Sequence, residues 1–239
     1  MNRTLTVAAI ITSAMISHAS AQPALSVSQP FGDFYVGLST GVLIPNDTDQ
    51  KVTGTILGLP VSGAGKLHYK PGIIVDALVG YHINPYVAAE VDLAYARYEY
   101  DEIKGVLTVG PLTVNRSTFD GNVQYWMGFV NAIVTPLGRS GFSPYIGGGI
   151  GFSSYEAKIN SISNPIVGVA RINSTTTNTD FAANAIAGFN YAVSDNVAVG
   201  ARYRFLWTDS ARTATSSGLT SESSNAMHHI LSATATYRF

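Results

Sequence analysis

The sequence predicts an all-β protein, an eight-stranded antiparallel up-and-down transmembrane β-barrel. Three observations carry that prediction. Segments of about ten residues alternate apolar with small or polar side chains, and a tilted strand of ~9–11 residues crosses a bilayer. Tight turns and long Ser/Thr/Asn-rich connections follow one another in alternation between those segments. Only 12% of the 239 residues are charged while 46% are apolar, against a usual charged fraction of ~25%.

Taken in chain order, the N-terminus comes first. Met1-Asn2-Arg3 is a short cationic start, Leu5 to Ile16 is an apolar run, and Ser17-His18-Ala19-Ser20-Ala21 ends in small residues before Gln22. This layout predicts a secretory signal over 1–21, cut near Ala21, because the run is too short to span a bilayer as a helix. Residues 22–33 then form a short periplasmic segment ahead of a barrel over 34–239.

The eight strands follow. Phe34 to Val42 is the first. In the second, Ile73, Val75, Ala77, Val79 and Tyr81 oppose Asp76, Gly80 and His82. Val87, Ala89, Val91, Leu93 and Tyr95 share one face of the third strand, with Ala88, Glu90, Asp92, Ala94 and Ala96 opposite. Phe119 to Val134 is the fourth; Asn122 and Gln124 do not share a face with Asn131, so its register stays open. Tyr145 to Ser154 is the fifth. In the sixth, Phe181 to Tyr191, the odd-numbered apolar residues oppose Asn184, Gly188 and Asn190. The seventh sets Val197, Val199, Ala201, Tyr203, Phe205 and Trp207 against Ala198, Gly200, Arg202, Arg204 and Leu206. The last sets Leu231, Ala233, Ala235, Tyr237 and Phe239 against Ser232, Thr234, Thr236 and Arg238. Residues 84–86, 136–141 and 194–196 carry turn chemistry. The long connections, near 43–71, 101–118, 155–180 and 208–226, are expected as extracellular loops, since long loops on one side and short turns on the other mark outer-membrane barrels.

Composition excludes several classes. A net charge of −1 removes the basic footprint of a nucleic-acid binder, and the absence of Cys removes disulfide scaffolds and thiolate metal sites. Which face of the barrel meets lipid is the next question. A lipocalin-like soluble barrel also has eight strands, with an apolar inside. Lipid outside is favoured by the small residues on the polar faces, which suit a narrow lumen, and by apolar faces without Lys or Glu. Aromatics also gather at strand ends rather than mid-strand. Tyr81, Tyr86, Tyr145, Phe189, Tyr191, Tyr237 and Phe239 lie near the short turns or the C-terminus. Tyr95, Tyr98, Tyr100, Phe152, Tyr155, Phe181, Phe205 and Trp207 lie near the long connections. They are expected as two interfacial girdles.

The most specific constellation is charged. Asp76, Glu90, Asp92, Arg202 and Arg204 all project from polar faces, and buried charges need partners. No pattern calls for a cofactor, and none is expected. His228-His229 face opposite ways on a strand, so a shared metal ion is not expected either.

The eight-strand order, Phe34-Tyr35-Val36-Gly37, Pro144-Tyr145-Ile146-Gly147-Gly148-Gly149-Ile150-Gly151 and the terminal Tyr237-Arg238-Phe239 resemble the OmpA-like barrel superfamily. Within it the chain is similar to the opacity-protein and porin-family surface proteins of Gram-negative bacteria. The resemblance implies residence in the outer membrane and contact with its lipid and lipopolysaccharide. It further implies delivery by the outer-membrane assembly machinery through the terminal Phe239, and host or surface ligands bound by the loops. It also implies a gate, in which a strand-three Glu faces a strand-seven Arg; Glu90 with Arg202 or Arg204 are the matching positions. Where relatives place a Lys on strand five, this chain has Gly147, Gly149 and Gly151. The expected role is a porin-like or structural surface protein rather than an enzyme. A lipid A deacylase is the enzymatic alternative, but Ser224-Asn225 is preceded by Ser223 where those enzymes carry His.

Overall fold

The computed structural model describes residues 33–56, 59–109, 111–138, 141–164, 168–209, 212–214, 219–223 and 225–239. The expected signal segment and the 22–33 segment, apart from Asp33, lie outside the described residues. Among the described residues every regular element is a strand: β1 (Phe34–Pro45), β2 (Thr48–Ile56), β3 (Leu59–Tyr69), β4 (Gly72–Asn84), β5 (Val87–Val109), β6 (Leu112–Val134), β7 (Phe142–Asn164), β8 (Gly168–Ala192), β9 (Val197–Thr208), β10 (Arg212–Ala214), β11 (Leu219–Ser223) and β12 (Ala226–Arg238).

Eight of them close a barrel, all antiparallel, in the order β1-β4-β5-β6-β7-β8-β9-β12 and back to β1. Closure leaves no free strand edge at membrane depth, where an unpaired backbone group has no water to bond. The eight predicted strands are these eight. Their short turns are set by local chemistry. Asn84 Oδ1 accepts hydrogen bonds from the backbone N–H groups of Tyr86 (2.8 Å) and Val87 (2.9 Å), holding the turn that Pro85 pre-shapes. Gly138 takes the left-handed φ of +69° that the β6–β7 turn requires. Ser194 Oγ accepts from the Val197 N–H at 3.1 Å in the β8–β9 turn.

Among the described residues, most of the four long connections is strand. They continue the strands of the barrel upward as hairpins. β5, β6, β7 and β8 each run more than twenty residues, far beyond the ~9–11 that a bilayer uses. The hairpin β2–β3 lies beside β5, from Val61↔Val109 to Tyr69↔Tyr100, and β11 lies beside β2. Above the membrane the wall therefore reads β10-β11-β2-β3-β5-β6-β7-β8. The Ser/Thr/Asn composition that suggested loops belongs to strands whose two faces are both without a lipid contact.

Alternation decides which side meets lipid. Leu38, Ile73, Val91, Leu93, Val130, Ile146, Ile150 and Leu231 are each about 55–69% exposed on the outer face. Such a continuous apolar belt marks a lipid-facing surface. A lipocalin-like barrel would turn the same residues inward, so that alternative is set aside. The register of β6 is also settled: Glu90↔Asn131 and Glu99↔Asn122 belong to one continuous ladder. Asn131 points into the lumen at 2% exposure, whereas Gln124 lies on the other face, where it accepts a hydrogen bond from Tyr95 Oη at 3.3 Å.

Candidate functional site

The lumen is a packed column. At its centre, Glu90 from β5 and Arg202 from β9 meet across the barrel, with Arg202 Nη2 3.0 Å from Oε1 and 2.9 Å from Oε2 of Glu90. Tyr35 Oη on β1 donates to Glu90 Oε1 at 2.7 Å, and Arg202 Nε donates to Tyr145 Oη on β7 at 3.2 Å. One level further from the short turns, Arg204 is bonded to Asp92, which also lies 3.6 Å from Arg202 Nη1. Asp76 on β4 accepts a hydrogen bond from Ser39 on β1. On the other side of the lumen, Asn184 Nδ2 donates to Asn131 Oδ1 at 2.9 Å. All five charged groups are at most 5% exposed. Glu90 and Asp92 face Arg202 and Arg204, and such pairing offsets the several kcal/mol that desolvation costs per ion, whereas Asp76 is held by the Ser39 hydroxyl.

Strand geometry puts them there. Glu90 and Asp92 are two apart on β5, as are Arg202 and Arg204 on β9, so each pair points to the same side with a rise of ~6.5 Å between its members. Gly147, Gly149 and Gly151 line the facing stretch of β7. A Cβ at Gly149 would stand 2.2 Å from both Asn131 Oδ1 and the Val130 carbonyl, and one at Gly151 would stand 1.9 Å from the Gly128 carbonyl. The glycine stretch is therefore a close backbone approach to β6.

Apolar side chains close the column on both sides of the ions. Tyr35, Leu78, Ala88, Ile133, Tyr145 and Ile186 form the periplasmic cluster. Above the ions, Phe129, Ile74, Leu43, Met127, Leu206 and Ile230 merge with Tyr98, Tyr100 and Tyr125. Tyr98 Oη donates to Tyr125 Oη at 3.1 Å; Tyr69 meets Tyr98 edge-on at a centroid distance of 5.4 Å, and Tyr155 packs tilted against Tyr125 at 5.6 Å. Burial pushes the Tyr69 hydroxyl up to about 12. A cavity of about 60 Å3, lined in part by His82, Thr135, Ser143 and Asn190, enters from the short-turn end and reaches Glu90 and Tyr145.

The aromatic positions divide. Tyr81, Tyr86, Phe189, Tyr191 and Tyr237 stand outward near the short turns, and Tyr95, Phe152, Phe205 and Trp207 stand outward at the other interface. Several work in pairs: Phe34 with Tyr81 at 4.8 Å, Tyr95 with Trp126 at 5.0 Å, and Tyr237 with Phe239 at 5.3 Å. Tyr145 is a correction. Expected in a girdle, it sits inside at 4% exposure, because odd residues of β7 share the lumen face of the glycine stretch. Tyr98, Tyr100 and Tyr155 turn inward for the same reason of parity. Asn184 is in the lumen, as its polar face predicts, whereas Tyr35, Asn131 and Phe129 are lumen residues that sequence reasoning missed; Tyr35 and Phe129 could have been found by extending strict alternation along β1 and β6. Phe239 ends the chain outward, its N–H 3.1 Å from the Phe34 carbonyl.

His228 is buried in the lumen against Tyr98 and Tyr125, whereas His229 points outward with Nδ1 2.7 Å from Tyr203 Oη. Ser224 lies outside the described residues. Among the described residues no group of three or more acidic or His side chains could hold a metal ion.

Comparison with known proteins agrees with this architecture. The neisserial surface protein NspA is 21% identical, over 86% of this chain and 97% of its own, with a TM-score of 0.46. OprG, an outer membrane protein of Pseudomonas aeruginosa, is 13% identical over 87% of this chain and 96% of its own, with a TM-score of 0.54, a likeness of fold. No curated protein matches. The family described as the outer membrane protein beta-barrel domain matches residues 7–239. By that match, and by a closed lipid-facing barrel of eight strands, the chain belongs to the outer membrane β-barrel family and resides in the outer membrane.

Proposed function

We propose that this protein is a non-conducting surface protein, in which the membrane barrel is an anchor and the strand wall above it is the working part. The observation that carries the reading is the filled lumen. The ionic layer of Glu90, Asp92, Arg202 and Arg204 lies in series with the apolar layer of Leu206, Ile230, Met127 and Phe129. Water and ions crossing the barrel would have to separate buried ion pairs and then wet an apolar constriction, and each step is costly. The strands meanwhile project well past the membrane, and a wall of that extent presents hydrogen-bonding groups to adhesive or antigenic partners.

Planar bilayers test this directly. The purified barrel is expected to give no conductance steps above bare lipid, and stable single-channel openings would replace the reading with a porin. The remaining parts of the proposal have separate checks. Lipid A from cells expressing the protein is expected to keep its acyl chains by mass spectrometry, and loss of a chain would make it an enzyme. N-terminal sequencing of the mature protein is expected to begin at Gln22. Lipopolysaccharide and the assembly machinery are the expected partners; deletion of Phe239 should lower the folded, heat-modifiable fraction in cells.

A further inference from the structure

His228 is a titratable group buried in the apolar layer of the lumen. It stands on the inner face of β12 at 2% exposure, opposite Pro45 of β1 and Leu206 of β9. Neither Nδ1 nor Nε2 makes a hydrogen bond among the described residues. The ring packs instead on two tyrosine rings, Tyr98 of β5 at 5.8 Å and, edge-on, Tyr125 of β6 at 5.6 Å. Those two hydroxyls bond each other rather than the imidazole. A buried polar group without a partner costs free energy, and a Leu or Phe would fill the same space without that cost. What an imidazole adds is the ability to gain a charge between neutral and acid pH.

The surroundings offer that charge no counter-ion. Leu43 and Pro45 of β1, Ile74 of β4 and Ala182 of β8 bring no titratable group to this level. Tyr98 and Tyr100 of β5, Tyr125 of β6, Tyr69 of β3 and Tyr155 of β7 stay neutral wherever an imidazole titrates. On β9, Leu206 faces the ring; Arg204, one step lower, is a cation already bonded to Asp92. His229 turns outward to Tyr203. Asp180 lies near Tyr155, and the Asp47–His68 pair lies near Tyr69, so both stand beyond the tyrosines. No carboxylate pairs with His228 among the described residues.

We propose that His228 is a proton-triggered latch of the upper lumen: its protonation puts an unpaired cation into the apolar layer, and water enters the layer to solvate it. Apolar constrictions gate by dewetting, so a single buried charge decides between a dry and a wet state. Wetting also loosens the tyrosine stack around the ring. That stack reaches β3 through Tyr69 and β7 through Tyr155, and Tyr69 Oη lies 2.7 Å from Thr48 Oγ1 on β2. Acid outside the cell is thereby transmitted from the lumen to the β2–β3 hairpin of the surface wall. The inference rests on the filled lumen of the surface-protein reading and adds the condition under which its upper half takes up water.

A thiol placed in the layer is the test, and the chain has no Cys to compete with it. Leu206→Cys in the full chain, in lipid nanodiscs and chloride-free buffer, is exposed to silver ion, a small aqueous cation that binds thiols in acid as well as at neutral pH. The thiol left over is counted with a maleimide after unfolding in SDS. Silver capture is expected to be about tenfold faster at about pH 4 than at about pH 7.5. Adding His228→Asn, which stays polar but takes no proton in this range, should abolish the acceleration, and His228→Phe should do the same. Ile230→Cys, one step deeper, carries the same comparison if Leu206→Cys lacks the heat-modifiable mobility of a folded barrel. Acceleration that persists with His228→Asn would trace to the carboxylates of the ionic layer and overturn the proposal, as would equal capture at both pH values. Bilayer recording at neutral pH separates the two ideas. A silent barrel whose thiol ignores acid loses only the latch, whereas a barrel that conducts at neutral pH loses the surface-protein reading.

Discussion

The lower lumen around Glu90 and Arg202 and the upper lumen around Leu206, Ile230 and Tyr98 fill one eight-stranded wall with opposite chemistry. Below, the side chains are ions whose partners come from strands far apart in sequence, such as Arg202 with Glu90 and Arg204 with Asp92. Above, they are apolar groups and stacked tyrosines. Burial strengthens both layers but for different reasons. An ion pair in a low dielectric is held by the cost of leaving either charge alone, while an apolar layer is held by contact and by exclusion of water. The ionic layer therefore fails through the loss of one partner, and the apolar layer fails in proportion to the volume removed.

Breaking the ionic layer from one side should have the largest effect. Arg204→Ala leaves Asp92 fully buried with only the longer 3.6 Å contact to Arg202 and is expected to cost about 3–5 kcal/mol, read from urea unfolding in phospholipid vesicles by tryptophan fluorescence. The paired change Arg204→Leu with Asp92→Leu should recover most of that loss, because two apolar side chains of similar volume leave no orphaned charge. A double variant as unstable as the single one would contradict this account of the layer. In the apolar layer, Ile230→Ala is expected to cost about 2–4 kcal/mol by the same assay, as transfer and cavity terms add. Tyr98→Phe removes only the hydrogen bond to Tyr125 and should cost about 1 kcal/mol.

A smaller effect is expected at the surface. Asp180 has a folded pKa raised above the ordinary aspartate value of 3.8, first by burial and then by Asp209. A raised folded pKa means that the folded state holds the proton more tightly than the unfolded one. Its contribution to stability is therefore full below 3.8 and is lost as the pH rises through the raised value. Asp180→Asn should flatten the pH dependence of stability in that window, and an unchanged slope would place the charge elsewhere. The last comparison predicts no change. Glu90→Ala with Arg202→Ala should remain silent in planar bilayers, because the layer of Leu206, Ile230 and Met127 still closes the lumen. Openings in that variant would make the ionic layer the only barrier.

Much of the architecture was legible in the residues because a period of two has just two solutions, and lipid chooses between them. Alternation through Val87–Ala96 and Val197–Trp207 put Glu90, Asp92, Arg202 and Arg204 on inner faces, and the turn chemistry of Asn84-Pro85-Tyr86 separated strands that the structure pairs. Tyr145 was misplaced for a reason that follows from the same rule. A tyrosine at a strand end satisfies a girdle or a lumen equally well, and the flanking glycines carry no side chain to reveal the parity. The long connections misled because Ser, Thr and Asn are as frequent in loops as in strands that no lipid touches.

By itself, then, the sequence determined the number of membrane strands, their solvent and the inner face of the strands that alternate cleanly, since all three are properties of local pattern and composition. Only the tertiary structure decided which carboxylate meets which guanidinium. It also decided that an apolar layer stands in series with the ions. Each of these depends on shear and register between strands up to two hundred residues apart, as in the β1–β12 pairing of Tyr35 with Arg238, and one strand's pattern carries no record of its neighbour's register.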